Sequence, residues 1–375
     1  MKIGLKIGVT GAQGLLGWHF SAYARMLEGV SVVGAGRAEF GSPQALTEFV
    51  SGCDGVVHFA GLNRGEEREV ARANIALTQS LIQALKSCSS TAHVLFASST
   101  HIERDSAYGA SKRECARLLA EWADQAGGRF SNVVLPGVFG EQGRPFYNSV
   151  VSTFCQQLAS GQSPTVHADA PLKLIHAQEV ARVFVGLLNQ GHSGDLRVMG
   201  RSETVLGLLE RLKALQALYA EHIIPDLRND YSRDLFNTFR SYLYPQHYPV
   251  SLALHSDPRG FLFEAVRTHS AGQSFLSSTA IGVTRGNHYH TRKVERFLVV
   301  QGEAEIRLRR VLHPEVHTFR VSGSAPCYVD IPTLYTHSLT NTGSGELLTL
   351  FWTHEIYDPA HPDTTPEAVL MQGSL

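Results

Sequence analysis

Between Gly282 and Gly302 the chain reads GVTRGNHYHTRKVERFLVVQG, placing Gly282, His288, His290, Glu295 and Gly302 with five, one, four and six residues between them. In a β-strand alternate side chains share a face, so His288 and His290 point the same way. Glu295, across a short turn, can return from the neighbouring strand to the same point. Two imidazoles and a carboxylate converging inside a barrel make a half-built metal site. The surrounding chain agrees with a barrel. From residue 250 onward it switches to short alternating strands with glycine-rich turns: FLFEAV, SFLSSTAIGV, ERFLVVQG, AEIRLRRVL, CYVDIP and ELLTLFWTH. Many short strands at even spacing predict a closed double sheet.

The spacing of that stretch resembles the first sequence motif of the cupins, and DIPTLYTHSLTN, with Pro332, His337 and Asn341, resembles the second. The resemblance completes a ligand set of His288, His290, Glu295 and His337 for one divalent metal. Two positions depart from the motif, Leu334 and Pro326 standing where glycines usually shape turns. The plain alternative is a group of ordinary barrel histidines, some with strand partners. Three histidines and a glutamate would also accept iron, manganese or nickel, and only the family likeness selects zinc.

A length of 375 residues suggests two domains, each able to bury its own core. Lys and Arg number 33 against 34 Asp and Glu, a balance with no sign of a nucleic-acid or acidic-membrane partner. No apolar run approaches a membrane span, and no signal peptide is evident before Thr10, so a cytoplasmic protein is expected. Cys53, Cys88, Cys115, Cys155 and Cys327 are odd in number and scattered, which reads as reduced thiols.

The first half reads as a doubly wound α/β fold. Residues 2–10, KIGLKIGVT, form a buried strand that turns at once into the helix of TGAQGLLGWHF. Gly11, Gly14 and Gly17, with Gln13 and Leu15 between them, let backbone N–H groups at a helix N-terminus approach a pyrophosphate. Where the second strand ends, an acidic residue would bind a ribose hydroxyl. Here Arg37 suits a 2′-phosphate and therefore NADPH, or is a solvated surface charge. Asp54 is read as an adenine contact ahead of GVVHFAG, whose Ala60 and Gly61 join the cofactor set. The strand AHVLFASS delivers Ser98, Ser99 and Thr100 at its carboxyl end. Tyr108 and Lys112, four apart on a helix, share a face, and an ammonium beside a phenol lowers the tyrosine pKa for proton exchange. With a serine to hold the carbonyl oxygen, Ser99, Tyr108 and Lys112 form a hydride-transfer constellation.

TGAQGLLG, HFAG, ASST and YGASK give residues 1–245 a resemblance to the extended short-chain dehydrogenase/reductases. The resemblance implies a Rossmann sheet, Ser99 (or Ser98 or Thr100) as carbonyl-orienting residue, Tyr108 as proton donor and Lys112 as ribose and phenol partner. Only eight residues separate Ser99 from Tyr108, fewer than in most members. Asn148, beside Tyr147 in PFYNSV, falls where members meet a nucleotide sugar. Residues 201–245 are helical in pattern, and YPQHYPV reads as a hinge before the second domain, 250–375.

DPRGFLFE and GVTRGNHYH resemble the sugar-nucleotide 3,5-epimerases, which implies that Arg259, Glu264 and Arg285 grip the diphosphate and sugar. That likeness would make His288 a proton-abstracting base, in conflict with its place in the metal set, and Phe351 stands where those enzymes carry an acidic tyrosine. Lys293, Tyr335 and His354 are the remaining candidate proton movers. The two halves together resemble the bifunctional capsular-polysaccharide epimerase/reductases of the CapF/WbjC type, through FAGLNRG, SAYGASK, PFYNSVVSTFC, VDIPTLYTH and the final DPAHPDT. This likeness, which runs almost end to end, implies a homodimer, zinc, NADPH and a UDP-linked 4-keto-deoxy-amino sugar epimerised at C3 and then reduced at C4. The alternative is a plain nucleotide-sugar reductase or epimerase with a non-catalytic cupin.

Overall fold

The structure, a computed structural model, describes residues 4–371, so Lys2 and Ile3 of the expected first strand lie outside the described residues. The chain packs into two compact units, one running up to Thr153 and resuming over Val166–Gly207, the other comprising Phe154–Thr165 and the chain from Leu208.

In the first unit the strands are β1 (Leu5–Thr10), β2 (Val30–Ala35), β3 (Gly55–His58), β4 (His93–Ser99), β5 (Arg129–Leu135), β6 (Gly137–Phe139), β7 (Pro171–His176), β8 (Gly194–Arg197) and β9 (Arg201–Thr204). A parallel sheet runs in the order β2-β1-β3-β4-β5-β8, and β6, β7 and β9 form a smaller one. The helices are α1 (Leu15–Ala24), α2 (Arg37–Phe40), α3 (Pro43–Val50), α4 (Glu67–Ser87), α5 (Ala107–Ala126), α6 (Val150–Ala159), along which the division between units falls, and α7 (Ala177–Gln190).

The central strands are apolar at nearly every position because helices cover both faces. Val56, Val94 and Phe96 pack with Leu46, Leu81, Leu119 and Trp122 on one face. Their neighbours Val57, Leu95 and Val133 pack with Phe20, Val180 and Phe184 on the other. The Rossmann-type sheet expected from the sequence is therefore present. Ser106 caps α5 by accepting the Gly109 N–H at 3.1 Å, and Gly127, at φ 66°, ends it.

The second unit opens with α8 (Val205–Ala220, from Leu208 on), β10 (Ile223–Ile224) and α9 (Asp230–Leu243). Then come β11 (Val250–Ser251), β12 (His255–Asp257), β13 (Gly260–Leu262), β14 (Arg267–Thr268), β15 (Gln273–Thr279), β16 (Thr284–Tyr289), β17 (Glu295–Gln301), β18 (Glu303–Arg310), β19 (Val316–Ser322), β20 (Cys327–Ile331), β21 (Tyr335–Asn341), β22 (Leu347–Thr353) and β23 (Thr365–Pro366). Two five-stranded antiparallel sheets, β11-β20-β17-β22-β15 and β19-β18-β21-β16-β23, share a core that includes Phe297, Val329, Ile306, Leu308 and Leu339. This is the double-sheet β architecture the strand spacing predicts.

Three local readings differ. Residues 201–245 contain β9 and β10 as well as helices, and FLFEAV is strand only at its start. By compactness, α9 and the body of α8 belong with the β-rich unit, whereas the sequence placed them before a hinge at 245–250. Their docking is polar as well as apolar. The Tyr219 hydroxyl donates to Asp330 Oδ2 at 2.6 Å, Asn237 Nδ2 donates to Arg292 O at 3.0 Å, and Arg240 Nη1 reaches Ile331 O at 3.4 Å.

Candidate functional site

The first candidate site lies at the carboxyl ends of β1, β3 and β4, where open α/β sheets bind ligands. Gly11 leaves β1 at φ +66°, and a Cβ there would stand 2.8 Å from Ala60 N, so the two backbones touch only because the residue is glycine. A Cβ on Gly17 would meet Gly11 O at 2.2 Å, and its absence lets α1 start against the turn. Leu15 opens α1 behind its N-cap Gly14, whose N–H donates to Gly11 O at 2.9 Å, and Gln13 lies in the turn before them. The Thr10 hydroxyl accepts the Ala60 N–H at 3.1 Å, and Asn74 holds both polar backbone groups of Leu62, accepting from its N–H at 2.7 Å and donating to its carbonyl at 2.9 Å. Asn74 Oδ1 and Lys112 Nζ would stand 3.1 and 3.9 Å from a Cβ on Gly61. The glycine turn, Ala60, Gly61 and Lys112 are thereby brought together.

Ser99 ends β4 and caps the short turn Thr100–Glu103, its hydroxyl accepting the His101 N–H at 3.3 Å. That bond leaves the Ser99 proton free to donate. The hydroxyl of Ser98 is buried without a hydrogen-bond partner, and Thr100 opens the turn. On α5, Lys112 is buried, its Nζ donating to Ala97 O at 2.9 Å and lying 4.5 Å from the Phe96 ring centre and 5.9 Å from that of Tyr108. Burial pushes the Tyr108 phenol up to about 12 and the Lys112 ammonium down to about 8. The lowering of the tyrosine pKa expected from the sequence is absent, because the ammonium is directed at a carbonyl and desolvation dominates. The His101 ring meets Tyr108 edge-on, with centroids 5.8 Å apart and planes at 89°. It lies in the eight-residue link between Ser99 and Tyr108, whose spacing alone gives no sign of the contact.

Asp54 requires a correction. It sits at the amino end of β3, the opposite edge of the sheet from Gly11 and Ser99, and its Oδ2 accepts the Lys6 N–H at 2.8 Å. A strand lies between it and the ligand edge, so the adenine contact is withdrawn. Arg37 begins α2 just past the end of β2 and is exposed, as is Asn148. Next to Asn148, the backbone carbonyls of Phe146 and Tyr147 accept from Arg64.

The second candidate site is a metal-type cluster. One ligand atom from each of His288, His290, Glu295 and His337 lies within 4.8 Å of the others. His288 and His337 come from one sheet, Glu295 is the first residue of β17 in the other, and His290 follows the end of β16. A β-bulge aims His288. Pairing runs Gly286 to Ser338 and then His288 to His337, so Asn287, at φ 59°, is the extra residue. A Cβ on Gly286 would lie 2.7 Å from His337 O, which explains the glycine. Leu334, at a usual glycine position, adopts φ 63° and is fully buried.

The donor chemistry fits a divalent cation. His290 Nδ1 lies 2.5 Å from Asp363 O and His337 Nδ1 lies 3.3 Å from Tyr335 O, which points each Nε2 inward. The two Nε2 atoms are each 3.2 Å from Glu295 Oε2, and that of His337 has no partner in hydrogen-bonding geometry. Burial, with His337 and His290 nearby, lowers His288 to about 3. Burial alone would raise Glu295, but the hydrogen bond from His290 and the two imidazoles hold it well below the usual carboxylate range. Phe297, 5.3 Å from His337 and 4.5 Å from Phe351, floors the cluster.

The other residues expected around this site are engaged elsewhere. Arg259 is exposed and paired with Asp257 at 2.6 Å, Glu264 faces Arg267 at 3.8 Å, and Arg285 donates to Thr279 Oγ1 and Ser278 O. Lys293 Nζ donates to Pro362 O at 2.8 Å, Tyr335 packs on Tyr244, and His354 Nδ1 accepts the Val294 N–H.

Comparison with known proteins accounts for both units. The profile of the NAD dependent epimerase/dehydratase family matches residues 7–200, and that of the polysaccharide biosynthesis C-terminal domain matches residues 255–365. The UDP-2-acetamido-2,6-beta-L-arabino-hexul-4-ose reductase of Pseudomonas aeruginosa is 31% identical over 365 residues, covering 96% of this chain and 98% of that protein. The crystal structure of the capsular polysaccharide assembling protein CapF from Staphylococcus aureus is similar at 28% identity and a TM-score of 0.60, covering 97% of this chain and 100% of that one. At 19% identity and a TM-score of 0.52, RMD from Pseudomonas aeruginosa shares the fold over 57% of this chain and 82% of its own.

Proposed function

The chain belongs to the NAD-dependent epimerase/dehydratase family, and on that premise we propose that it reduces the C4 ketone of a UDP-4-keto-6-deoxy-hexosamine after inverting C3. The product is UDP-2-acetamido-2,6-dideoxy-L-talose, made for N-acetyl-L-fucosamine and surface polysaccharide. The observation that carries this reading is the presence, on one chain matched almost end to end by a hexul-4-ose reductase, of both Tyr108–Lys112 at the sheet's ligand edge and the four-residue cluster in the β-rich unit.

The order follows from the substrate. A C4 ketone acidifies the hydrogen on C3, because the resulting carbanion spreads onto oxygen, and reduction removes that ketone. Inversion therefore precedes reduction. NADPH supplies the hydride when bound, with Arg37 on its 2′-phosphate and the N–H groups after Gly11 on its pyrophosphate. Ser99 donates a hydrogen bond that orients the carbonyl oxygen and keeps its proton, Tyr108 delivers the one proton to the forming alkoxide, and Lys112 holds the ribose and the phenol. His288, His290, Glu295 and His337 would hold one zinc ion, which supplies Lewis acidity to the substrate oxygen or cross-braces the barrel. For the UDP-sugar, Asn148 is assigned in the reductase unit, and Arg259, Glu264 and Arg285 in the β-rich unit, where they would exchange their partners Asp257, Arg267 and Thr279 for substrate.

A homodimer is also proposed. Phe261, Leu262, Leu276 and Ile281, all at least 60% exposed, leave apolar surface along β13 and β15 and beyond that a second copy would cover. Among the described residues no helix is long and apolar enough to cross a membrane. We place the enzyme in the cytoplasm, with its reductant.

Incubation with NADPH and a panel of UDP-4-keto-6-deoxy-hexosamines in deuterated water, followed by NMR, tests the whole scheme. Deuterium is expected at C3 together with a reduced C4. A reduced product without label at C3 would support the second reading, a reductase whose cupin only positions substrate. The Phe351 substitution and the engaged side chains of Lys293, Tyr335 and His354 favour that alternative.

A further inference from the structure

The final DPAHPDT stretch is not used by either reaction, yet it lies against the four-residue cluster. After β22 the chain passes over exposed residues and turns inward at Asp363, which is 5% exposed and holds φ +44°, a left-handed conformation unusual for a side-chain-bearing residue. Its carboxylate collects four donors. Oδ1 accepts from the Thr291 N–H at 3.0 Å and the Thr291 hydroxyl at 2.7 Å, while Oδ2 accepts from the N–H groups of Arg292 at 3.0 Å and Lys293 at 2.9 Å. Those three residues are the turn between His290 and Glu295.

The contact is reciprocal. Lys293 Nζ donates to Pro362 O at 2.8 Å, and Arg292 Nη2 donates to His361 O at 2.9 Å. The backbone carbonyl of Asp363 faces His290 Nδ1 at 2.5 Å, and immediately beyond, β23 pairs with β16 at His288–Pro366 and Tyr289–Thr365. One segment, anchored by the buried Asp363, therefore bears on three of the four cluster residues: His290 through its ring, Glu295 through the turn that leads to it, and His288 through strand pairing.

We propose that Asp363 is the positioning residue of this centre, fixing the tautomer of His290 and the spacing of His290 to Glu295 so that the site is preformed for a divalent cation. This rests on the metal reading above. A carbonyl acceptor at Nδ1 holds the proton there and leaves Nε2 its lone pair, while the carboxylate replaces water on three consecutive N–H groups. Loss of such supporting partners weakens metal sites about 10–100-fold.

The test uses the full chain, stripped of metal and titrated with Zn²⁺ against a chromophoric chelator, with the thermal unfolding of the metal-free protein and the visible spectrum of the Co²⁺ form recorded alongside. Asp363→Asn is expected to weaken Zn²⁺ binding at least tenfold and to alter the Co²⁺ bands. A Kd within twofold of the parent overturns the inference. If Asp363→Asn also unfolds at lower temperature, Thr291→Val, which removes a single donor, decides: weaker Zn²⁺ binding at an unchanged melting temperature supports positioning, and parental binding overturns it. A parent chain that takes up neither metal removes the metal reading itself, an outcome distinct from a parent that binds and a variant that binds equally well.

Discussion

Tyr108 and Lys112 stand one turn apart on α5, and the same burial shifts them in opposite senses, the phenol to about 12 and the ammonium to about 8. The phenol keeps its proton throughout the working range, as a proton donor should. Lys112 is charged below about pH 8 and neutral above it. Because its folded value lies below the ordinary lysine value, the buried ammonium disfavours folding at neutral pH, and that cost declines as pH rises past 8. Function has the opposite sign: kcat/KM for the keto sugar is expected to fall as pH rises through about 8, well before an exposed lysine would titrate. A profile flat to pH 10 would separate Lys112 from the reduction. The YxxxK spacing made this pair legible in the sequence, but its protonation was not. Desolvation depends on Phe96 and Ala97 of β4, which sequence reading places nearby but cannot orient.

Among elements, α8 and α9 are the ones whose allegiance the structure changes. Both have helical spacing, and spacing says which face is apolar without saying which sheet receives it. The receiver is the outside of the β-rich unit, through Asp330. Arg296 donates to its two oxygens at 2.7 and 2.9 Å, Tyr219 adds a third bond, and Tyr248 shares the Tyr219 hydroxyl at 2.7 Å. Breaking a buried ion pair by removing one charge leaves the other unpaired, at a cost of about 3–5 kcal/mol. Asp330→Asn is expected to lose stability on that scale in urea unfolding, and the double change Asp330→Leu with Arg296→Met to regain most of it. A double variant that loses as much as the two single changes added together would mean that the pair is not coupled. The β-bulge at Asn287 belongs to this scale too. Strict alternation predicts that His288 faces inward, but only the bulge brings it opposite His337.

For the whole molecule, two chemistries on one ketone should be separable by mutation. Tyr108→Phe removes the proton donor and leaves the β-rich unit intact. It is expected to slow NADPH consumption about 10²–10⁴-fold while the substrate still gains deuterium at C3, read by NMR. Parental NADPH consumption, or loss of exchange along with reduction, would sink the division of labour. Sequence by itself determined the two folds and singled out the Tyr108–Lys112 pair and the set His288, His290, Glu295 and His337, because glycine turns, strand alternation and His/Glu spacing are local and follow from backbone geometry. It could not reach Asp363, 68 residues beyond Glu295, nor the misplacement of Asp54, nor the docking of α8 and α9. Those depend on which distant backbones lie side by side, and only the tertiary structure decides that, since a hydrogen bond or a buried charge depends on surroundings that the chain order does not specify.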